Sequence, residues 1–279
     1  MNFLKTSCPL CTTTTSISSF CSTKSKVFGI RDFLRCHTCY LTFLEPSQRL
    51  APGDEKERYN LHVNHPSDVN YRKFLNKLVS PCAKRVLASR ATPVLTPEAE
   101  KEHSNKSQPW GLDFGCGPGP TVSVMMKEQH GLDMVDWDLY FQPQPELPKE
   151  FPTRLIPLAT HLGPGLHVLE DYQAQVLQVH YDYITSTEVI EHISQPAQVF
   201  KLFDKLLLPP LAPGSDSGGG LLALMTGVLR HDADFSDWHY HRDPTHICFY
   251  RPETWEWIAE EFNWALETPH RDVAFFTKQ

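Results

Sequence analysis

The fold is decided by the stretch LDFGCGPGP at residues 112–120. Its apolar start is typical of a strand that carries an acid, Asp113, near its end and then turns through Gly115, Gly117 and Gly119 before a helix. Glycine is required in such a turn because the backbone approaches a ligand closely and adopts angles that a Cβ atom would forbid. The turn also leaves backbone N–H groups and a helix terminus facing that ligand. The stretch therefore predicts a ligand site at the carboxyl end of a strand.

Short apolar runs alternate with helical stretches on the carboxyl side of this turn. This alternation predicts an α/β fold, with a doubly wound, mostly parallel sheet and helices on its faces. The predicted strands are 111–114, 134–138, 181–186, 221–226, 246–250 and 272–277. The predicted helices are 121–129, 196–208 and 252–263, each with a proline near its first position, where the missing N–H costs nothing.

The glycine spacing D-x-G-x-G-x-G differs from the dinucleotide-binding fingerprint. The acid lies at the strand end, and Pro118 stands where a pyrophosphate needs an open turn, which disfavours a nicotinamide oxidoreductase. Residues 110–278 instead resemble the class I S-adenosylmethionine-dependent methyltransferases, whose first motif is similar to residues 112–119. The resemblance implies a Rossmann-like sheet of seven strands and S-adenosylmethionine as methyl donor.

The same resemblance implies how the cofactor is held. The glycine turn packs against its methionine and ribose portions, and an acid after the second strand accepts hydrogen bonds from both ribose hydroxyls. Asp138 fits this acid, with Asp136 as competitor and a solvated strand end as the alternative for either. The family's adenine-contacting acid is not identifiable in 142–175. The expected cofactor-binding residues are Asp113, Gly115, Cys116, Gly117, Gly119, Asp138 and Glu188.

A second group of chemically competent residues follows the strand predicted at 181–186. Spacings of three and four place Glu188, Glu191 and His192 on one side of a helical turn. Two carboxylates and an imidazole suit either a divalent cation or an acid–base pair. Together with His246, they resemble the metal ligands of ubiquinone-pathway O-methyltransferases and small-RNA 3′-terminal 2′-O-methyltransferases, which implies Mg²⁺. The alternative is a border of the cofactor pocket, with His192, His241 or His246 as general base.

The amino terminus carries two CxxC pairs. Cys8 and Cys11 form the first, Cys36 and Cys39 the second, and 24 residues separate them. Two such knuckles supply the four thiolates of a structural Zn²⁺ site, so a zinc ribbon is predicted. The alternatives are two disulfides in a secreted protein or a cleaved transit peptide. Residues 1–15 contain no apolar core of a signal peptide, and cleavage of a transit peptide would remove the first pair.

Charge and length divide the chain into three parts. Of the 279 residues, 1–50 carry a net charge of +4 within a total of −7, so the rest carries −11. That balance disfavours a generalised nucleic-acid surface, although the first fifty residues could still touch phosphate. No apolar run reaches the roughly 18 residues of a membrane span. The predicted domains are a zinc-ribbon-like segment at 1–45, a helical connector and linker at 46–109, and the methyltransferase domain at 110–279.

The sequence thus predicts a cytoplasmic enzyme that transfers a methyl group to an oxygen, nitrogen or carbon nucleophile. The acidic catalytic half favours a small-molecule acceptor over RNA, and no membrane partner is expected. One alternative is a catalytically inactive RNA- or protein-binding module that uses the ribbon. Another is a metal-assisted RNA ribose 2′-O-methyltransferase.

Overall fold

The computed structural model describes residues 6–25, 28–60, 64–91, 108–141, 179–210 and 218–279. Residues 61–63 and 92–107 of the connector and linker predicted at 46–109, and the whole of 142–175, lie outside the described residues. The strands are β1 (Ile17–Ser25), β2 (Gly29–Cys36), β3 (Thr42–Leu44), β4 (Trp110–Phe114), β5 (Asp133–Trp137), β6 (Tyr183–Thr187), β7 (Leu221–Met225), β8 (Cys248–Phe249), β9 (Trp264–His270) and β10 (Val273–Lys278). The helices are α1 (Pro52–Tyr59), α2 (Val69–Ala91), α3 (Thr121–His130), α4 (Pro196–Leu206) and α5 (Pro252–Phe262).

The main sheet has the strand order β5-β4-β6-β7-β10-β9. Its first four strands are parallel, whereas β10 runs antiparallel to both β7 and β9. Every residue of β4 and β7 is buried, because α4 and α5 cover one face of the sheet while α2 and α3 cover the other. The predicted doubly wound α/β class is therefore confirmed. The described residues give this sheet six strands, so the seventh strand of the expected fold is not confirmed.

Two strands differ from the sequence prediction. The segment predicted at 246–250 contributes only β8, which pairs with β3 near the amino terminus and not with the main sheet. Strand β9 was not predicted, because most of its residues are exposed or half-buried at the sheet edge and show no apolar alternation. Pattern reasoning detects strands through their buried residues, and an edge strand offers few of them.

The amino-terminal segment forms a second sheet with the order β1-β2-β3-β8. Strands β1 and β2 form an antiparallel hairpin, as the ribbon interpretation requires, and β3 adds to β2. The fourth strand, β8, comes from the methyltransferase part of the chain, where Thr42 pairs with Phe249 and Phe43 with Cys248. The ribbon and the carboxyl-terminal part therefore share one sheet.

The connector predicted at 46–109 contains one long helix. Helix α2 alone covers 23 residues and contains Pro81. Its buried stripe packs against α3 and the main sheet, and includes Leu75, Leu78, Val79, Cys82 and Val86. None of the described helices combines the length and the apolar character that crossing a membrane requires.

One aromatic side chain fills the space between the ribbon and the rest of the molecule. Phe235 is fully buried, and its ring meets Phe20, Phe33 and Phe249 edge-to-face at centroid distances of 5.2, 4.8 and 5.2 Å. Phe20 and Phe33 belong to the ribbon, whereas Phe249 belongs to β8. The contact therefore spans the boundary predicted between the first domain and the remainder of the chain.

We expect the ribbon and the methyltransferase part to unfold in one cooperative transition, because they share a sheet and a core. Replacing Phe235 with alanine should lower the free energy of unfolding by about 3–5 kcal/mol, the usual cost of deleting a buried aromatic ring. Scanning calorimetry of the wild-type chain and of Phe235→Ala measures both effects. Two resolved transitions, with only one shifted by the substitution, would contradict the shared core.

Candidate active site

The glycine turn follows strand β4, the second strand of the main sheet, and has the geometry that its sequence predicts. Gly115 and Gly117 adopt left-handed backbone angles, with φ of 84° and 67°. A Cβ atom on Gly115 would lie 2.4 Å from the Val189 side chain, which comes from the segment after β6. The turn therefore needs glycine for its backbone angles and for the close approach of its neighbour.

Asp138 lies directly beside this turn. Its carboxylate accepts a hydrogen bond from the Gly117 amide at 2.9 Å and others from the amides of Tyr140 and Phe141 at 2.8 and 3.1 Å. Burial raises the pKa of Asp138, and the three backbone donors oppose that rise. Its competitor Asp136 lies within β5 and is fully buried, and its pKa is raised by burial to about 6. The structure thus brings Asp138 to the turn and leaves Asp136 inside the strand.

Asp113 is a buried acid at the base of the turn. Its Oδ1 accepts a hydrogen bond from the Thr185 hydroxyl at 2.7 Å. Burial raises the pKa of Asp113 to about 8, and the nearby Asp136 contributes to the rise. Across the described ranges, no lysine or arginine forms an ion pair with Asp113, Glu188 or Glu191. Buried acids without a cationic side chain suit a cationic ligand, and S-adenosylmethionine carries a sulfonium charge.

The other predicted residues of the turn have different surroundings. Cys116 is buried, and burial raises the pKa of its thiol well above the usual range. At Gly119, a Cβ atom would lie 1.9 Å from the backbone oxygen of Asn64, which also accepts a hydrogen bond from the Thr121 hydroxyl at 2.8 Å. Gly119 therefore allows the connector backbone at Asn64 to pack directly against the turn, because it has no side chain.

The four residues Glu188, Glu191, His192 and His246 are here called the acid–histidine group. This group lies next to the turn, at the carboxyl ends of β6 and β7. One ligand atom each from Glu191, His192 and His246 lies within 4.8 Å of the others. Glu191 is fully buried, and its carboxylate accepts hydrogen bonds from Thr226 at 2.8 Å and from Tyr240 at 2.5 Å. Three of the four residues in the predicted set therefore converge.

Glu188 differs from the sequence expectation. It has a left-handed φ of 53° and precedes a 3-10 turn at Ile190–His192, so it does not share one helical turn with Glu191. Its carboxylate lies 3.1 Å from the Tyr240 hydroxyl, which also contacts Glu191. A hydroxyl donates one proton, so Tyr240 can donate to only one carboxylate at a time. Burial, reinforced by the charge on Glu191, raises the pKa of Glu188 well above its usual range.

The two histidines of the group are held by backbone carbonyls. His246 Nδ1 lies 2.7 Å from the backbone oxygen of Tyr240, and His192 Nδ1 lies 3.1 Å from the backbone oxygen of Thr245. A carbonyl only accepts, so each Nδ1 carries the proton, which leaves Nε2 as the basic nitrogen of a neutral ring. Burial lowers the pKa of His246, which favours that neutral form near pH 7.

His241 lies elsewhere. It is buried beneath the ribbon, where its ring stacks on Phe235 at 5.0 Å and meets Phe33 edge-to-face at 5.8 Å. Its Nε2 lies 3.2 Å from the Ser236 oxygen, and burial lowers its pKa. The structure therefore places this third candidate base in the packed boundary with the ribbon.

Several residues near the site were not predicted. Tyr59 from α1 places its ring 5.3 Å from that of His192 and 5.5 Å from that of Tyr140. Burial raises the pKa of Tyr71, in α2, and Asp113 and Glu188 add to this effect, which indicates that Tyr71 lies near these two acids. The sequence indicated only that these tyrosines pack on the next domain, since an aromatic residue in a polar segment carries no ligand signal of its own.

The four cysteines of the ribbon fit the donor set of a zinc site. Cys8 Sγ and Cys39 Sγ are 3.5 Å apart, as are Cys11 Sγ and Cys36 Sγ, and all four sulfurs lie within 4.8 Å of one another. Tetrahedral Zn²⁺ with the usual bond length to sulfur separates its ligands by about 3.8 Å, whereas a disulfide requires about 2.05 Å. The arrangement suits four thiolates around one ion.

Comparison with known proteins identifies the family. A family model described as a methyltransferase domain matches residues 84–268, about two thirds of the chain, so the chain belongs to this methyltransferase family. Family and fold together define an S-adenosylmethionine-dependent methyltransferase of class I. No curated protein matches the chain.

Solved structures with similarity to the chain include three methyltransferases. One from Galdieria sulphuraria, provisionally assigned as a sarcosine dimethylglycine methyltransferase, is 13% identical over 77% of this chain and 76% of its own, with a TM-score of 0.39. A provisionally assigned methyltransferase from Bacillus halodurans is 14% identical over 61% and 69%, with a TM-score of 0.33. An S-adenosylmethionine-dependent methyltransferase from Thermotoga maritima is 10% identical over 77% and 97%, with a TM-score of 0.32.

The four-sulfur geometry predicts about one zinc ion per chain by elemental analysis. Cys36→Ser should lose most of this zinc and melt at a lower temperature, because three thiolates no longer close the tetrahedral shell. Cys21→Ser is the matched control: Cys21 lies in the same hairpin, outside the four-cysteine group, and this variant should keep its zinc. A metal-free wild-type chain as stable as the metal-loaded one would refute the zinc assignment.

Proposed function

We propose that the protein transfers the methyl group of S-adenosylmethionine to a nucleophile on a small molecule, with His246 as general base. The observation that carries the proposal is the direct contact between the two halves of the site. Val189 packs on Gly115 of the cofactor turn, while its neighbours Glu188 and Glu191 carry the acid–histidine group. A donor at the turn and an acceptor beside His246 would therefore be adjacent.

The cofactor residues are assigned by position and charge. S-adenosylmethionine, when bound, supplies a methyl group on a cationic sulfur that is already activated for transfer. Asp138 would accept hydrogen bonds from the ribose hydroxyls, since it lies past the end of β5 beside Gly117. The carboxylates of Asp113 and Glu188 would balance the positive charge. The left-handed backbone angles of Gly115 and Gly117 would turn the backbone of the loop toward such a ligand.

The acceptor residues prepare a nucleophile. When the methyl group is transferred, Nε2 of His246 would accept the proton that the acceptor atom loses. The Tyr240 carbonyl fixes the required tautomer by accepting from Nδ1, and the nearby Glu191 favours the imidazolium that forms. His241, packed under the ribbon, does not have this role in the proposal.

A second proposal gives the same group a metal ion. Glu191, His192 and His246 offer one carboxylate and two imidazoles, which suit Mn²⁺, Zn²⁺ or a similar ion better than the Mg²⁺ expected from the sequence. An ion there would lower the pKa of an acceptor hydroxyl. Chelation tests this second proposal. Loss of activity with EDTA and its recovery with Mn²⁺ would support the metal ion, provided that elemental analysis shows the ribbon zinc to be retained. Indifference to EDTA rejects it.

Two features favour a small molecule over RNA. Residues 51–279 carry a net charge of −11, which disfavours binding of a phosphate backbone. Two ribbon arginines make their contacts within the protein. Arg31 is buried against backbone carbonyls, and Arg35 forms an ion pair with Asp232. These charges are not presented to a phosphate backbone, which weakens the case for a nucleic-acid-binding ribbon.

Incubation with methyl-labelled S-adenosylmethionine and cell extract, followed by separation into small-molecule, RNA and protein fractions, tests the proposal. We expect label in the small-molecule fraction. Replacing His246 with glutamine should slow transfer by about 10²-fold or more, the usual contribution of a general base, while cofactor affinity is kept. His239→Gln, an exposed histidine of the same segment, is the control and should stay active. Label confined to RNA, or cofactor binding without any transfer, would contradict the proposal.

Cofactor affinity should also depend on pH through Asp113. Its pKa of about 8 means that below this pH the buried carboxyl is mostly protonated and neutral. A cationic ligand favours the ionised form, so binding releases a proton, and affinity should rise with pH until it levels off near pH 8. Calorimetry from pH 6 to 9 on the wild type and on Asp113→Asn measures this, because titration of the cofactor itself is common to both. Identical pH profiles would show that Asp113 does not face the cofactor.

A further inference from the structure

A buried arginine of the ribbon reaches the loop that carries the proposed base. Arg31, in β2, is only 4% exposed. Its Nη1 donates to the backbone oxygens of His241 at 2.6 Å and Asp243 at 3.2 Å. Its Nη2 donates to those of Pro244 at 3.3 Å and His246 at 3.1 Å. One guanidinium therefore holds four carbonyls within residues 241–246, here called the histidine loop.

The arrangement depends on the shape of the guanidinium. In the described part of the chain, Arg31 has no carboxylate within ion-pair distance, so carbonyl dipoles compensate the buried charge. Burial lowers the pKa of Arg31, and the nearby Asp243 opposes that change. A planar fork can direct two nitrogens to two carbonyls each, whereas a lysine ammonium is a compact point with three donors. Lysine would keep the charge but not this pattern.

The same loop is fixed on its other side by the ribbon sheet. The Leu44 amide donates to the Ile247 oxygen at 2.9 Å, and β3 pairs with β8 immediately afterwards. Arg31 therefore binds the backbone carbonyl of His246, while Leu44 of strand β3 binds that of Ile247, the next residue. In this arrangement Nδ1 of His246 lies 2.7 Å from the backbone carbonyl oxygen of Tyr240.

We infer that Arg31 is a positioning residue of the methyltransferase site, which holds the histidine loop so that His246 keeps its Nδ1–H on the Tyr240 carbonyl. The ribbon is then a structural part of the active site, and not an appended binding module. The inference rests on the proposed function only in giving His246 a chemical role. The positioning itself is measurable without turnover.

Arg35 provides a matched control. It lies on the same strand, four residues after Arg31, and is 6% exposed. Its partners are the Thr42 hydroxyl at 2.6 Å and the Asp232 carboxylate at 2.9 Å, so it does not bond to the histidine loop. Replacing either arginine removes a buried guanidinium from β2, but only one replacement releases the loop.

The experiment compares Arg31→Lys with Arg35→Lys in the full-length, zinc-loaded chain. Nuclear magnetic resonance of protein labelled with ¹⁵N-histidine detects the His246 Nδ1–H, whose signal is assigned by its loss in His246→Gln. We expect the wild type and Arg35→Lys to retain this signal and Arg31→Lys to lose it. Cofactor affinity should stay within about twofold in both variants, while turnover falls by about 10²-fold in Arg31→Lys alone, as expected for a misplaced catalytic group.

Cofactor binding also shows that each variant is folded, and Arg31→Gln replaces Arg31→Lys if the latter does not bind cofactor. Retention of the wild-type His246 signal in the Arg31 variant, or its equal loss in Arg35→Lys, would overturn the inference. Failure of the Arg31→Gln chain to bind cofactor would also overturn it, because Arg31 would then support the whole fold. If the signal is lost while His246→Gln remains fully active, the positioning stands and His246 is not the base.

Discussion

The hydrogen bond from the Gly117 amide to the Asp138 carboxylate joins the ends of the two strands on which the proposed cofactor site depends. It can form only because the backbone after β4 turns through left-handed angles at Gly115 and Gly117, which brings the second amide to the end of β5. Gly115 has no side chain, and Val189 packs against the turn where its Cβ atom would lie. The backbone of the turn, the Asp138 carboxylate and the end of β5 therefore meet at the carboxyl ends of the parallel strands.

The remainder of the site is built outward from that point. The segment after β6 supplies Val189 to the cofactor turn and Glu191 to the acid–histidine group, so one short stretch serves both halves. The far side of the group is supplied by the histidine loop, which the ribbon holds through Arg31 and strand β3. The four-cysteine segment is thus joined to the acid–histidine group through packing and through hydrogen bonds to backbone carbonyls.

The sequence predicts the parts of this arrangement that have local signals. The glycine turn, the strand before it and the two CxxC knuckles each follow from spacing within a few residues, whereas the Asp138 position follows from the family resemblance. The mostly parallel sheet follows from alternating apolar runs, since buried strands are apolar along their whole length. Glu191 and His192 were grouped by their spacing and His246 was added through a family resemblance, and the structure brings the three together.

The remaining features depend on residues far apart in the chain. Arg31 contacts carbonyls more than two hundred positions later, and no pattern around Arg31 marks that role. The left-handed conformation of Glu188, its link to Glu191 through Tyr240 and the pairing of β8 with the ribbon also arise from tertiary packing. The exposed edge strand β9 lacked the alternation that identifies a strand.

Calorimetric titration of the full chain with S-adenosylmethionine is the most direct test of the central claim that the Gly115–Asp138 region holds the methyl donor. The account predicts one binding site per chain, with affinity reduced by about tenfold or more in both Gly115→Ala and Asp138→Ala. The first variant would force a Cβ atom against Val189 in a left-handed turn, and the second would remove the acceptor for the ribose hydroxyls. Absence of binding at millimolar cofactor, or equal affinity in wild type and both variants, would contradict it.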